Sequence, residues 1–267
     1  MKNFNFDQIS YTSIPISMFF SETEQKLASG TAFVYEYEGK FYLITNWHNV
    51  TGLNPITKKH LGKHCGIPDL LSFKLQTQKE PIIKWESFTI HLYEENKADW
   101  FVHPIHKELV DVVAIELEIP ENFNGILRPI NRIMFDEFNL RVADEVFVLG
   151  FPYAITGGGS LPIWKRGSIA TEPDIDYENL PKFFIDTASK SGMSGSPVIF
   201  RRFGVHGAED GILRFNSSIG EIRGFVGVYS GRITGESEFD AQLGIVWKKE
   251  VIEEIIKGKL KDKRNFL

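Results

Sequence analysis

Three residues in the chain are of the types that nucleophilic attack on a carbonyl requires: a serine in a sharp turn, a histidine and an aspartate. Ser194 lies in residues 192–197 (GMSGSP), between two apolar runs that are typical of strands. His48 follows a predicted hairpin, and Asp111 opens the apolar run 111–117. A serine hydroxyl becomes a strong nucleophile only when a histidine accepts its proton and a carboxylate orients that histidine. The order His48, Asp111, Ser194 therefore predicts a catalytic triad.

The same turn also contains backbone donors for the negative charge that would develop on the attacked oxygen. The amides of Gly192 and Ser194 are the two candidates. A glycine at position 192 lets its amide turn inward without a Cβ clash. We therefore expect an oxyanion hole formed by these two amides.

Strands must position these residues, because short apolar runs separated by Gly-, Pro- and Asn-containing turns occur along the whole chain. No helical pattern alternates with them, which argues against a βαβ sheet and favours an all-β fold. One amphipathic helix is predicted at 248–256. The predicted strands are 29–37, 41–45, 70–75, 82–85, 88–92, 111–117, 145–149, 163–170, 183–185, 198–200, 224–229 and 242–247.

Composition restricts the class of protein. The 267 residues are enough for one large all-β domain or two lobes, with 42% hydrophobic and 24% charged residues. The formal net charge of −5 gives nucleic-acid binding no global electrostatic support. The single cysteine, Cys65, excludes an intrachain disulfide and fits a reducing cytoplasm. We read no signal peptide and no membrane-spanning run.

Taken together, the motifs resemble the chymotrypsin-like (trypsin-fold) serine proteases, most closely the bacterial HtrA-like protease domain without PDZ domains. The resemblance covers about residues 28 to 256 and rests on GTAF at 30–33, LITNWHNV at 43–50, DVVAIEL at 111–117, GFP at 150–152 and GMSGSP at 192–197. It implies two six-stranded antiparallel β-barrels, with the active site in the cleft between them, and a C-terminal helix. The expected boundaries are an N-terminal arm at 1–27, a first barrel at 28–117, a connector at 118–140, a second barrel at 141–248 and a helix with a basic tail at 249–267.

The resemblance also implies where substrate binds. Ala188 would form the floor of an uncharged first specificity pocket, Gly244 would keep that pocket open, and Ser230 and Gly231 would pair with substrate backbone; Ser189 lies beside them. We expect an uncharged or apolar residue before the cut, with Arg232 as a feature that would instead favour an acidic one. Met193 occupies the position where the secreted digestive members carry an aspartate, so switching by N-terminal cleavage is not expected.

Rival sites are weaker. His60, His64 and Cys65 have suggestive metal-ligand spacing but lack a second pair, so a loop without metal is predicted. His103 and His106 are alternative bases, disfavoured by the order of residues in the family. Residues 157–160 lack the Lys-Ser or Lys-Thr pair of a phosphate-binding loop. The basic run 257–264 is expected to be solvated.

The sequence therefore predicts a cytoplasmic serine endopeptidase that acts on polypeptides without a cofactor, a metal, nucleic acid or a membrane. The alternative is a latent or inactive protease-fold module that binds an extended peptide and needs an activating protein partner.

Overall fold

The computed structural model describes residues 6–62, 66–78, 84–188, 190–206, 212, 215, 217–232 and 243–264. Strands dominate this part of the chain, which confirms the all-β class. They form two lobes along the chain, followed by a helix. No helix among the described residues is long and apolar enough to cross a membrane.

The first lobe is an eight-stranded antiparallel sheet in the order β16-β8-β9-β3-β2-β1-β4-β5, in which β16 is Leu260–Lys261, rather than the six-stranded barrel that the resemblance implied. The sheet is wider than predicted because β1 lies in the segment that was expected to be an arm and β16 lies in the expected tail. A separate two-stranded ribbon, β6–β7, lies beside it. The strands of this half are β1 (Ser13–Phe20), β2 (Gln25–Tyr37), β3 (Lys40–Thr45), β4 (Leu70–Gln78), β5 (Lys84–His91), β6 (Tyr93–Glu94), β7 (Lys97–Ala98), β8 (Phe101–Val102) and β9 (Val113–Leu117).

The hairpin that leads to His48 forms as its sequence predicts. Tyr37 pairs with Lys40, so β2 and β3 are joined by the two residues Glu38 and Gly39. Both have positive φ, +50° and +78°, the backbone geometry of a tight hairpin turn that matches the twist of the strands. After β3 the chain continues into α1 (Trp47–Thr51), a single helical turn that contains His48.

The second lobe is a closed barrel in the order β10-β11-β12-β15-β14-β13, with the six strands expected. Val198, Phe200 and Val246 are fully buried inside it, because alternate residues of its strands point inward. Its strands are β10 (Glu145–Gly150), β11 (Ile163–Ile169), β12 (Lys182–Asp186), β13 (Pro197–His206), β14 (Ser218–Arg232) and β15 (Leu243–Lys248).

After the barrel the chain returns to the first lobe. The helix α2 (Glu250–Gly258) buries one apolar face, formed by Val251, Ile252, Ile255 and Ile256. Next, β16 (Leu260–Lys261) pairs with β8 at the edge of the first sheet. The tail that was expected to be solvated is therefore partly built into the sheet, because β8 offers an open edge to it.

One hydrophobic cluster joins the lobes. It contains Phe33 and Ala114 of the first sheet, Leu149 and Trp247 of the barrel, and Ile255 of α2, all buried. This shared core holds the two lobes against each other along the cleft where the predicted triad residues lie.

Candidate active site

His48, which is partly buried, and Asp111, which is buried, are joined by two hydrogen bonds. His48 Nδ1 lies 2.6 Å from Asp111 Oδ2, and the His48 amide donates to Asp111 Oδ1 at 2.9 Å. Asp111 is only 2% exposed. A carboxylate accepts hydrogen bonds, so Nδ1 carries the proton and Nε2 is left with a free lone pair. This is the tautomer that a general base needs.

Two further groups hold Asp111. The Asn46 side-chain amide donates to the Asp111 carbonyl at 2.7 Å. The hydroxyl of Ser230, on β14, donates to Asp111 Oδ2. Ser230 was predicted to pair with substrate through its backbone, and that stays a prediction; its hydroxyl bonds to the aspartate from the opposite lobe. The Asp111 carboxylate therefore accepts three hydrogen bonds, from the His48 amide, His48 Nδ1 and the Ser230 hydroxyl, and its carbonyl accepts a fourth, from Asn46.

The turn that presents Ser194 is tightly constrained. Gly192 and Gly195 have φ of +92° and +85°. A Cβ at Gly192 would lie 2.4 Å from the Phe151 carbonyl oxygen, and one at Gly195 would lie 2.0 Å from that of Thr31. Both positions require glycine, as the turn-forming composition of the segment predicts.

Hydrogen bonds from the first lobe hold this turn in place. The Thr31 amide donates to the Ser194 carbonyl at 2.8 Å, and Asn49 Nδ2 donates to the same oxygen at 3.2 Å. The Thr31 hydroxyl donates to the Gly192 carbonyl at 2.9 Å and accepts from the Phe151 amide at 3.3 Å. Because Thr31 is fully buried, water does not compete for the hydrogen bonds by which its hydroxyl connects β2 to the turn around Ser194.

The backbone amides of Gly192 and Ser194 donate no hydrogen bond within the part of the chain that the structure describes. The carbonyl of the preceding residue, Ser191, accepts from the Tyr153 amide at 2.7 Å. Because the carbonyl and the N–H of one trans peptide group point in opposite directions, the Gly192 amide is directed away from Tyr153. The oxyanion hole formed by the Gly192 and Ser194 amides stays a prediction.

The hydroxyl of Ser194 is the third member of the predicted triad. Among the described residues no hydrogen bond joins the Ser194 hydroxyl to His48 Nε2. Two neighbours nevertheless locate it: Asn49, next to His48, bonds to its carbonyl, and a Cβ at Gly231 would lie 3.7 Å from its hydroxyl oxygen. Catalytic hydrogen bonds in unliganded sites are commonly long and tighten when substrate binds.

The predicted pocket residues have different environments. Ala188 is exposed, while Ser189 and the side chain of Arg232 lie outside the described residues. A Cβ at Gly244 would lie 2.5 Å from Cε2 of Tyr229 and 3.2 Å from Thr187 Cγ2. Gly244 therefore faces an aromatic ring, and its lack of a side chain makes room for that ring.

Met193 is buried in the barrel core, as a residue that forms no ion pair can be.

The rival sites do not gather into a second centre. His103 is buried and bonds to Glu254 of α2 at 2.7 Å, a structural contact. His60 is exposed in a bridge with Leu53, and His64 and Cys65 lie outside the described residues. Among the residues that the structure describes, no three His, Cys, Asp or Glu side chains are grouped so that they could hold a metal ion.

No sequence motif predicts the roles of the residues that surround His48, Asp111 and the Ser194 turn. Thr31 and Asn49 both fall within motifs that were singled out, but their roles depend on partners more than a hundred positions away. Tyr153 acts through its amide, in a turn with positive φ of 52°. The only sequence signal for that turn was the glycine and proline around it.

Comparisons with known proteins add a distant structural similarity. No protein-family model matches the chain, and no curated protein is significantly similar to it. Among solved structures, it is similar to the active form of the Rv3671c protease from M. tuberculosis, with 15% identity, 97% of this chain and 85% of that chain covered, and a TM-score of 0.47. It is also similar to an inactive form of the same protease that carries a serine-to-alanine substitution, with 16% identity, 93% of this chain and 86% of that chain covered, and a TM-score of 0.46. Both neighbours are proteases, the class that the motifs resemble, but at these scores neither carries an activity over to this chain.

Proposed function

We propose that the chain is a serine endopeptidase that cleaves peptide bonds through an acyl-enzyme intermediate. The observation that carries the proposal is the His48–Asp111 pair, in which Nδ1 and Oδ2 are 2.6 Å apart, with His48 on a helix whose Asn49 bonds to the Ser194 carbonyl. Structural histidines also bond to carboxylates. What favours catalysis is the combination of this pair with the Gly192 and Ser194 amides, which donate no hydrogen bond to any residue that the structure describes.

The reaction follows from these positions. Ser194 Oγ attacks the substrate carbonyl carbon while its proton passes to His48 Nε2. The carbonyl oxygen becomes an oxyanion and accepts from the Gly192 and Ser194 amides. His48 then gives the proton to the leaving amine as the C–N bond breaks, and an ester to Ser194 remains.

Deacylation repeats the sequence with water. His48 takes a proton from the water, whose oxygen attacks the ester carbon, and returns that proton to Ser194 Oγ as the ester bond breaks. The Asp111 carboxylate stays ionised and stabilises the imidazolium in each half. No cofactor or metal is needed in either half.

The backbone conformation of the turn around Ser194 favours an active enzyme over a latent protease-fold module. A collapsed oxyanion loop would direct the Ser191 carbonyl toward the site, whereas this carbonyl bonds to Tyr153. The loop is therefore expected to act without an activating partner. Proteins of this class act on polypeptides, and we propose a polypeptide substrate here.

The test is labelling by a fluorophosphonate probe, together with hydrolysis of a casein-type substrate. We expect Ser194→Ala to abolish labelling and to lower kcat by about 10⁴- to 10⁶-fold, because the triad acts as a unit. Its thermal unfolding should stay close to that of wild type, since only one oxygen is removed. Ser191→Ala, a neighbouring serine outside the triad, is the matched control and should keep both signals.

Three results would count against the proposal. Undiminished hydrolysis by Ser194→Ala would reject Ser194 as the nucleophile. Labelling at another residue would have the same meaning. A wild-type chain that binds peptide but is neither labelled nor active, even with a partner added, would point to the binding module.

A further inference from the structure

The end of the chain reaches the helix that carries the catalytic base. Asp262 Oδ2 accepts from the indole Nε1 of Trp47 at 2.7 Å and from that of Trp100 at 3.1 Å. Trp47 is the residue immediately before His48, and both indoles are essentially buried, at 2% and 0% exposure. One carboxylate oxygen thus joins α1 to the segment that precedes β8.

The tail that supplies Asp262 is itself attached at several points. Leu260 and Lys261 pair with Val102 and Phe101 of β8. Beyond them, the Asp262 amide donates to the Trp100 carbonyl at 3.2 Å. The carboxylate is therefore held by a strand and not by a free terminus.

Arg264 adds a second contact with the same indole. Its carbonyl accepts from the Ala98 amide at 3.0 Å, and its guanidinium lies 5.3 Å from the centre of the Trp47 ring. Lys58, from the chain just after α1, also lies 4.9 Å from that ring. The indole is thus fixed at its N–H by a carboxylate and flanked by two cations.

The helix α1 needs such support because it is only five residues long, and a single helical turn is not stable alone. His48 is fixed on one side by Asp111. Without an anchor at Trp47, the turn could pivot about that contact and move the His48 ring relative to Ser194. A displacement of about 1 Å at a reacting group can cost about 10²-fold in rate.

We propose that Asp262 is a positioning residue for His48, acting through the indole of Trp47. Asp262 touches neither the reacting atoms nor the predicted substrate path. It sets the orientation of the base from behind, so the last turn of the chain completes the active site. The inference rests on the proposed function for its catalytic consequence, but its structural core, the orientation of His48, stands independently.

The primary experiment compares Asp262→Ala with Asp262→Asn, well below both melting temperatures. We expect Asp262→Ala to lower kcat by about 10-fold or more, with KM unchanged, and to slow fluorophosphonate inactivation in the same ratio. Asp262→Asn keeps an oxygen that can accept from the indoles and should restore most of the rate. Lys261→Ala removes an exposed ion pair with Asp99 at the residue next to Asp262 and is the matched control, expected to leave kcat unchanged.

A second variant covers the case in which Asp262→Ala does not fold. Trp47→Phe removes the indole N–H but keeps an aromatic ring, and it should lower kcat to a similar extent. If both variants fold, the double variant should lose little more than either one, because they break the same hydrogen bond. Three results would overturn the proposal: losses in kcat that add fully in the double variant, an unchanged kcat in the single variants, or a kcat in Asp262→Asn as low as that in Asp262→Ala.

A spectroscopic measurement separates this inference from the proposed function. The Nδ1–H proton of His48, assigned by its loss in His48→Asn, reports the bond to Asp111 without turnover. We expect this resonance to shift or broaden in Asp262→Ala and to be retained in Asp262→Asn and Lys261→Ala. If the wild type proves inactive, the proposed function fails while this comparison still decides the positioning role; an unaltered resonance in Asp262→Ala would overturn it.

Discussion

The side chain of Tyr229 controls how much room lies next to Gly244. Its ring is 1% exposed, and its hydroxyl oxygen lies 3.2 Å from where a Cβ at Gly244 would stand. Its backbone bonds to Gly195 and Ser196, the two residues that follow Ser194. Interiors are close-packed, so a ring in this place leaves little volume for a substrate side chain.

We therefore expect a small uncharged residue, such as glycine, alanine or serine, before the cut. A cleavage-site profile on a peptide library measures this directly. Tyr229→Val should raise the relative kcat/KM for larger apolar residues by about 10-fold or more, because a pocket discriminates by roughly that factor per missing group. Tyr229→Phe keeps the ring and should keep the profile. A wild-type preference for Lys, Arg or a bulky aromatic residue would contradict this view.

At the scale of elements, a buried histidine joins the loop after β8 to α2. His103 Nε2 lies 2.7 Å from Glu254 Oε2, and its Nδ1 accepts from the amides of Ile105 and His106. Burial lowers the pKa of His103 below its ordinary value; the Glu254 carboxylate opposes that shift, and the neighbouring His106 adds to it. The neutral ring is the form that the folded protein prefers.

The consequence for stability has a definite sign. The unfolded chain binds a proton at His103 at a higher pH than the folded chain does, so the free energy of unfolding falls as pH drops through about 6.5. Denaturant titrations at pH 7.5 and 5.5 measure the loss. His103→Gln should remove this part of the pH dependence, at a cost of about 1–3 kcal/mol at pH 7.5 for the lost hydrogen bonds.

Glu254→Gln provides the opposite control. Its carboxylate favours the protonated ring, so removing the charge should make the loss in acid larger. An identical pH dependence in wild type and His103→Gln would show that the contact between His103 and α2 does not titrate as described.

At the scale of the whole molecule, the two lobes share one core. Phe33 of the first sheet packs edge-on against Phe225 of the barrel, with ring centres 5.5 Å apart. The Ser13 hydroxyl donates to the Leu149 carbonyl across the same boundary at 3.0 Å. Neither lobe can unfold without exposing apolar surface of the other, which favours a cooperative transition.

We expect urea unfolding followed by tryptophan fluorescence and by far-UV circular dichroism to give coincident single transitions. Phe33→Ala should lower the free energy of unfolding by about 3–5 kcal/mol, because it opens a cavity at the boundary. Its curve should remain a single transition at a lower midpoint. Two separated transitions in the wild type would mean that the lobes unfold independently.

The sequence alone predicted most of the long strands, the hairpin before His48 and the glycine turn around Ser194, but it placed β1 in an arm and did not predict β6, β7, β8 or β16. These features arise between near neighbours, where strand alternation and the backbone freedom of glycine act directly. It also predicted His48, Asp111 and Ser194 by type and order. The five-residue helix α1 was not predicted, because one turn leaves no periodicity to detect.

Only the tertiary structure decided what surrounds those residues. Ser230 bonds to Asp111, Thr31 grips the Gly192 carbonyl, and Asp262 reaches Trp47 from the far end of the chain. The width of the first sheet and the docking of the tail were decided in the same way. Each depends on strand order and register, which bring together segments that are remote along the chain, and no local pattern of residues encodes which remote partner a hydroxyl or a carboxylate will meet.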